Sequence, residues 1–206
     1  MINKLELFFE NAENGISKID NYLKEMEGMT GLKTRHFYNN LLSISDAKYL
    51  EIGTWKGSSV CSAMCRNSAT VLCIDNWSEF GGPKSEFLNN FEKYKGDNNA
   101  TYIEADCFNI NVNTIGKFNI YMYDGNHTYE SHYKSLKYFI DAMENEFILI
   151  IDDWNWSRVR NATNASIYDL NLNILWKKEI RLSNNEETTY DKQGWWNGIC
   201  VFLLKK

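Results

Sequence analysis

At 206 residues, with 44% apolar and 24% charged side chains, the chain can bury one substantial core, and its composition excludes a fibrous or disordered protein. The net charge of −5 comes without any block of Lys and Arg, which argues against a protein that lies along nucleic acid. No apolar run approaches the roughly 20 residues that cross a bilayer, and the longest, FILII at 147–151, has the length of a strand.

The first residues, MINKLELFFENAEN, carry acids inside too short an apolar run for a secretion signal. The five cysteines (Cys61, Cys65, Cys73, Cys107, Cys200) are odd in number and lack C-x-x-C spacing. They read as small core residues in a reducing, cytoplasmic protein. Over residues 1–27, Leu5, Phe8 and Phe9, then Ile16, Ile19, Tyr22, Leu23 and Met26 recur at helical spacing. The segment GMTGLK breaks the pattern before a short helix with Phe37, Leu41 and Leu42. These N-terminal helices, residues 1–45, read either as a packing layer or as a cap over a site.

The stretch KYLEIGTWKGSSV, residues 48–60, runs from an apolar strand through Glu51 to a turn between Gly53 and Gly57, then to small residues that open a helix. This is the first βα unit of a nucleotide-binding sheet, although GTWKG lacks the middle glycine of GxGxxG and the Lys-Ser/Thr of a P-loop. Gly53 is expected to turn the backbone tightly. Gly57 is expected to let the helix start close to a ligand, so that a bulky residue there lowers affinity more than stability. Further strands follow at TVLCID, ATYIEA, KFNIYMYD and FILIID, alternating with helices at 58–67, KSEFLNNFEKYK and about 129–143. MENEF reads as the turn before the fifth strand. The tail has a helix from Val159 to about Leu170, a strand near 173–182, a polar loop, and a last strand GICVFLL.

Five strands alternating with helices, each an apolar run covered on both faces, predict a single α/β domain with a doubly wound parallel sheet. The two late strands, with no helix between them, predict an antiparallel pair at its edge. Such a sheet binds ligands beyond the carboxyl ends of its strands. Glu51, Asp75, Asp106, Asp124, Asp152 and Asp153 all fall there. Each alone also reads as a cap or turn residue. Asp75, roughly 20 residues beyond Gly53, has the position of a ribose-binding acid, and with Asn76 it also reads as a turn. Asp106 stands where an adenine edge would be met. Three carboxylates converging at Asp124, Asp152 and Asp153 would repel one another unless a cation joined them, and oxygen donors suit magnesium, calcium or manganese. His127, three residues past Asp124, is placed as a general base. His36 has less support than His127, pointing into the site being the lesser of its readings, and Trp77, Trp154, Trp156, Trp195 and Trp196 flank strand ends, where aromatic rings either wall a pocket or pack in the core.

The ordered set EIGTWKGSS, CIDNW, EADCF, YDGNHTYE and IIDDWNW resembles the motifs of class I S-adenosylmethionine-dependent methyltransferases. It is most similar to a small group with D-G-x-H-x-Y and D-D signatures, related to macrolide sugar O-methyltransferases. The resemblance implies a seven-stranded sheet with an antiparallel last strand. It implies that Glu51, Gly53, Thr54 and Gly57 serve the methionine part of the cofactor, Asp75, Asn76 and Trp77 the ribose and adenine, Asp106 and Cys107 the adenine, and Asp124 the reacting end. It also implies a divalent cation, Mg2+ by preference, on Asp124, Asp152 and Asp153, with His127 and Asp124 as catalytic residues. The acceptor implied is a small hydroxylated molecule, a sugar or a phenol, with nucleic acid and membrane disfavoured and homo-oligomer formation left open. An NAD-dependent oxidoreductase and a non-catalytic cofactor-binding protein are the rival readings of the same first unit.

Overall fold

The hydrophobic runs become seven strands: β1 (Lys48–Ile52), β2 (Thr70–Asp75), β3 (Asn99–Glu104), β4 (Phe118–Tyr123), β5 (Met143–Asp152), β6 (Asn173–Ile180) and β7 (Ile199–Lys205). In the computed structural model, which describes residues 1–206, they form one sheet in the order β3-β2-β1-β4-β5-β7-β6. The first five are parallel. β7 runs antiparallel between β5 and β6. This insertion departs from the all-parallel 3-2-1-4-5-6 order of dinucleotide-binding sheets.

Side chains alternate along each central strand with period two, so the two faces hold separate cores. Tyr49, Ile120, Met122, Ile148, Ile150, Val201 and Leu203 face one side. Leu50, Tyr121, Tyr123, Leu149, Ile151, Phe202 and Leu204 face the other. The first face is covered by α1 (Ile2–Glu13), α3 (Leu32–Leu41), α4 (Ser58–Met64) and α5 (Lys84–Lys95), with α2 (Asn21–Glu25) beside them. The second is covered by α6 (Tyr129–Phe139) and α7 (Ser157–Asp169). α1 and α3 are thus a packing layer on the sheet; from the N-terminal region, Met29 and Thr30 in the α2–α3 connection reach the site cleft. No helix is long and apolar enough to cross a membrane.

The expected antiparallel pair forms at the sheet edge, with β6 outermost and the last strand between β5 and β6. Two expectations need correction. β3, at the edge, is not covered on both faces: Ala100 is its one buried residue. MENEF is not a turn, because β5 starts at Met143, pairs it with Phe118, and absorbs the irregularity as a register shift before Ile120.

The chain leaves β1 toward β2 on one side and returns as β4 on the other, which opens a crevice at their carboxyl ends. Gly53 and Asp124 face each other across it. Gly53 has φ +83°, and a Cβ there would stand 2.1 Å from the Asp124 carbonyl oxygen. Only a residue without a side chain lets these two strand ends close up.

Candidate active site

The crevice is a cleft of about 580 Å³, within the range of small-molecule sites. The loop after β1 is held on its floor by Asp75 at the end of β2. Asp75 Oδ2 accepts hydrogen bonds from the Thr54 amide (2.7 Å), the Trp55 amide (2.9 Å) and Thr54 Oγ1 (3.3 Å). Its Oδ1 accepts from the Trp77 amide at 2.7 Å. Asp75 therefore latches the glycine loop and closes its own turn, while still lining the cleft. Asn76, Trp77, Asp106 and Cys107 line the same space. Trp77 Nε1 donates to the Trp55 carbonyl at 2.9 Å and the ring packs on Phe87. Asp106 Oδ1 caps the Phe108 amide at 2.9 Å. Trp55, Trp77, Phe80, Asp153 and Trp196 all line the cleft with φ between +46° and +59°. Left-handed backbone at bulky residues is strained, and here the strain is gathered around one cavity.

At the other end of the cleft the ends of β4 and β5 meet. His127 Nε2 lies 3.1 Å from Asp124 Oδ1 and 2.8 Å from Asp153 Oδ2. One donor atom from each of Asp124, His127 and Asp153 falls within 4.8 Å of the others. Burial opposes charge on the His127 ring, but hydrogen bonds and attraction from the two carboxylates outweigh it and bring its pKa up to about 10. Burial raises the Asp124 carboxyl, and His127 pulls it back. Asp153 is fixed by Asn197, whose Nδ2 donates to Oδ1 at 2.6 Å. Asp152 stands outside this group. Its Oδ1 accepts the Asp153 amide at 2.9 Å, and burial beside Asp124 and Asp153 drives its pKa well up.

A profile for the methyltransferase domain matches residues 50–154, half of the chain. The chain belongs to this methyltransferase family. Its fold is that of the class I S-adenosylmethionine-dependent enzymes. No curated protein matches it. Among solved structures, it is similar to the O-methyltransferase from Bacillus cereus in complex with SAH, at 12% identity and TM-score 0.56, covering 98% of this chain and 91% of that one. A Streptococcus mutans protein whose proposed role is SAM-dependent methyl transfer aligns at 13% identity and TM-score 0.60, over 85% of this chain and 49% of its own. The chain spans about half the length of that relative. A Pyrococcus horikoshii protein with a proposed role in RNA methylation aligns at 11% identity and TM-score 0.57, over 98% and 97%. The fold is common to all three, whose described roles differ.

Two glycine-loop residues of the methyltransferase stand back from the cleft. Glu51 is fully buried on the α4 side of β1, where Tyr49 Oη and Ser59 Oγ each donate to it at 2.5 Å. Burial raises its pKa to about 8, against the pull of those two bonds. Gly57 has φ +87°, and a Cβ there would meet Phe87 at 3.2 Å and Cys61 Sγ at 3.3 Å. Its bareness serves the turn and the packing against α5, so a bulky residue there also strains the fold. His36 also lies elsewhere, bonded to Ser17 Oγ at 2.7 Å. Trp154 and Trp195 are buried and donate to Glu179 and Glu13, whereas Trp156 and Trp196 line the cleft. Sequence reading passed over Thr30, Ser58, Ser59, Thr188 and Tyr190, which also line it. Ser58 and Ser59 follow the glycine loop directly and were open to detection. Thr188 and Tyr190 sit in a polar loop whose destination depends on Asn155, which binds Asn197, Thr189 and the Leu182 amide.

Proposed function

We propose that residues 1–206 act as one domain that transfers the methyl group of S-adenosylmethionine to a hydroxyl of a small molecule, a sugar or a phenol, with a divalent cation assisting. The observation that carries this reading is the opening of the Asp124–His127–Asp153 cluster into the same cleft as Gly53, Thr54 and Asp75. The described complex of the Bacillus cereus relative with SAH supports the cofactor. The D-G-x-H-x-Y and D-D motifs support a kinship with the sugar O-methyltransferases.

Gly53, Thr54, Asp75, Asn76, Trp77, Asp106 and Cys107 would surround the adenosine half, with Glu51 and Gly57 supporting the loop from behind. S-adenosylmethionine, when bound, supplies a methyl on a sulfonium, whose departure needs no protonation. The chain's task is therefore orientation and care of the acceptor proton. Asp124, Asp152 and Asp153 would offer the hard oxygens that a divalent cation takes, and such an ion would offset the pull of Asp124 and Asp153 on the His127 ring, 3.1 and 2.8 Å away, leaving Nε2 unprotonated and free to accept a proton. A divalent ion there, Mg2+ by preference, supplies Lewis acidity to the hydroxyl. His127 Nε2 is the atom proposed to receive the proton, and the carboxylates of Asp124 and Asp153 stabilise the imidazolium that results. Trp156, Tyr190 and Trp196 would wall the acceptor.

The test is calorimetric titration with S-adenosylhomocysteine, followed by labelled methyl transfer to panels of phenols and sugars with and without chelator. Binding of the cofactor product, and turnover that falls at least tenfold in chelator and returns with Mg2+, are expected. Full turnover in chelator would remove the cation from the reading and leave methyl transfer standing.

A further inference from the structure

Two asparagines that stand back from the cleft join its acid end to its acceptor wall. Asn155 and Asn197 are both fully buried. Asn197 Nδ2 donates to Asp153 Oδ1 at 2.6 Å, and Asn197 Oδ1 accepts from Asn155 Nδ2 and from the Thr189 amide, each at 2.9 Å. Asn155 Oδ1 in turn accepts from the Leu182 amide at 2.8 Å and the Ser183 amide at 3.3 Å. Its Nδ2 also reaches Thr189 Oγ1 at 3.2 Å.

The direction of this chain of bonds is forced. A backbone amide can only donate, so the amides of Leu182, Ser183 and Thr189 hold the oxygens of both side chains toward the loop. The nitrogens must then point the other way, from Asn155 to Asn197 and from Asn197 to Asp153. Asp153 Oδ1 is thereby taken up, and Oδ2 is left as the atom that faces His127 at 2.8 Å. Asp153 holds this position on left-handed backbone, φ +55°, a conformation that needs support from its surroundings. At the far end of the chain, Thr188 and Tyr190 line the cleft on either side of Thr189. The Thr189 amide is where the acceptor wall enters the network. Buried polar groups of one network are costly to leave unpaired, so a shift at Thr189 is passed to Asn197.

We infer that Asn197 is a positioning residue that sets Asp153 against His127, and that Asn155 makes this setting depend on the 182–190 loop. The fit of the acceptor is then felt in turnover and not in binding alone. The inference rests on the proposed methyl transfer at the acid cluster and on the loop as wall of the acceptor.

Asn197→Asp keeps an oxygen for Asn155 and Thr189 and exchanges the donor to Asp153 for an acceptor. Labelled methyl transfer to the phenol and sugar panel should show kcat lower by about 10- to 100-fold, with the acceptor KM within about threefold. The affinity for S-adenosylhomocysteine, measured by calorimetry, should stay within about twofold. Asn155→Ala, one step further from the cluster, should also lower kcat, by about threefold or more, and raise the acceptor KM. A loss confined to KM in both variants would make the asparagines plain supports of the wall and overturn the inference. A measurement that needs no acceptor tests the link from its other end. Asp153→Ala should speed hydrogen exchange in a peptide spanning residues 182–190 by about threefold or more, and leave one spanning 48–60 as it was. Unchanged exchange at 182–190 would overturn the link, even if Asn197→Asp failed to fold. Absence of methyl transfer by the unaltered protein would instead overturn the proposed reaction, and the claim on turnover with it, whatever the exchange result.

Discussion

The two halves of the cleft are built by different means. Around the glycine loop, backbone amides are gathered onto one carboxylate, Asp75, and the rings behind them are packed into the core. At the acid end, side chains hold side chains: Asp124 and Asp153 grip His127, and Asn197 grips Asp153. The first half is a shaped surface that needs no ligand to hold its form. The second concentrates like charge and depends on a cation, whether the imidazolium or a metal, to hold together. Binding should therefore be set mainly by the first half and chemistry by the second.

The largest effect that would break this division is expected at the acid end. His127→Ala should lower methyl transfer by about 10²- to 10⁴-fold, the usual share of a general base, while S-adenosylhomocysteine affinity stays within about threefold. Parallel loss of affinity, measured by calorimetry, would mean that the two halves are one unit. Asp75→Ala tests the converse. It strips the acceptor from the Thr54, Trp55 and Trp77 amides, and the affinity for S-adenosylhomocysteine should fall about 10- to 100-fold. An unchanged affinity would show that the loop keeps its form without the latch.

The smallest effect concerns the support behind the loop. Glu51 has a folded-state pKa raised to about 8 from an ordinary 4.5. The folded chain therefore binds a proton that the unfolded chain has already lost between these values. The stability this adds is complete below pH 4.5 and drains away as pH rises through 8. Urea unfolding of the unaltered protein should lose on the order of 1 kcal/mol per pH unit across pH 5 to 8, and Glu51→Gln should be flatter by a similar slope. Identical slopes in the two proteins would mean that Glu51 is ionised in the fold.

The parts of the fold that were readable from residues are those that depend on local pattern. Short apolar runs located the strands, and of the acids at their ends all but Glu51 line one cleft. Long-range placement was not readable. Nothing local tells Asp152 to turn back on the Asp153 amide, or His127 to take the position between two carboxylates. Thr188 and Tyr190 come to the cleft through hydrogen bonds spanning some thirty residues to Asn155, a distance over which sequence periodicity carries no signal. The surroundings of Gly57 were hidden for a related reason: its neighbours Phe87 and Cys61 come from packing between helices. A glycine requirement shows in the sequence, but what crowds the glycine does not.

The place of β7 also bears on how the chain is made. β6 leaves the ribosome before β7, yet it touches the rest of the sheet only through β7. Until residues 199–205 arrive, β5 has a bare hydrogen-bonding edge and β6 is a loose ribbon, both open to pairing with another nascent chain. The composition of β6 limits that hazard. Lys177, Lys178 and Glu179 put charge in the middle of the strand, and no residue of it is buried even in the finished fold. The sheet's most exposed strand is thus protected during synthesis by the same polarity that keeps its outer edge in water afterwards.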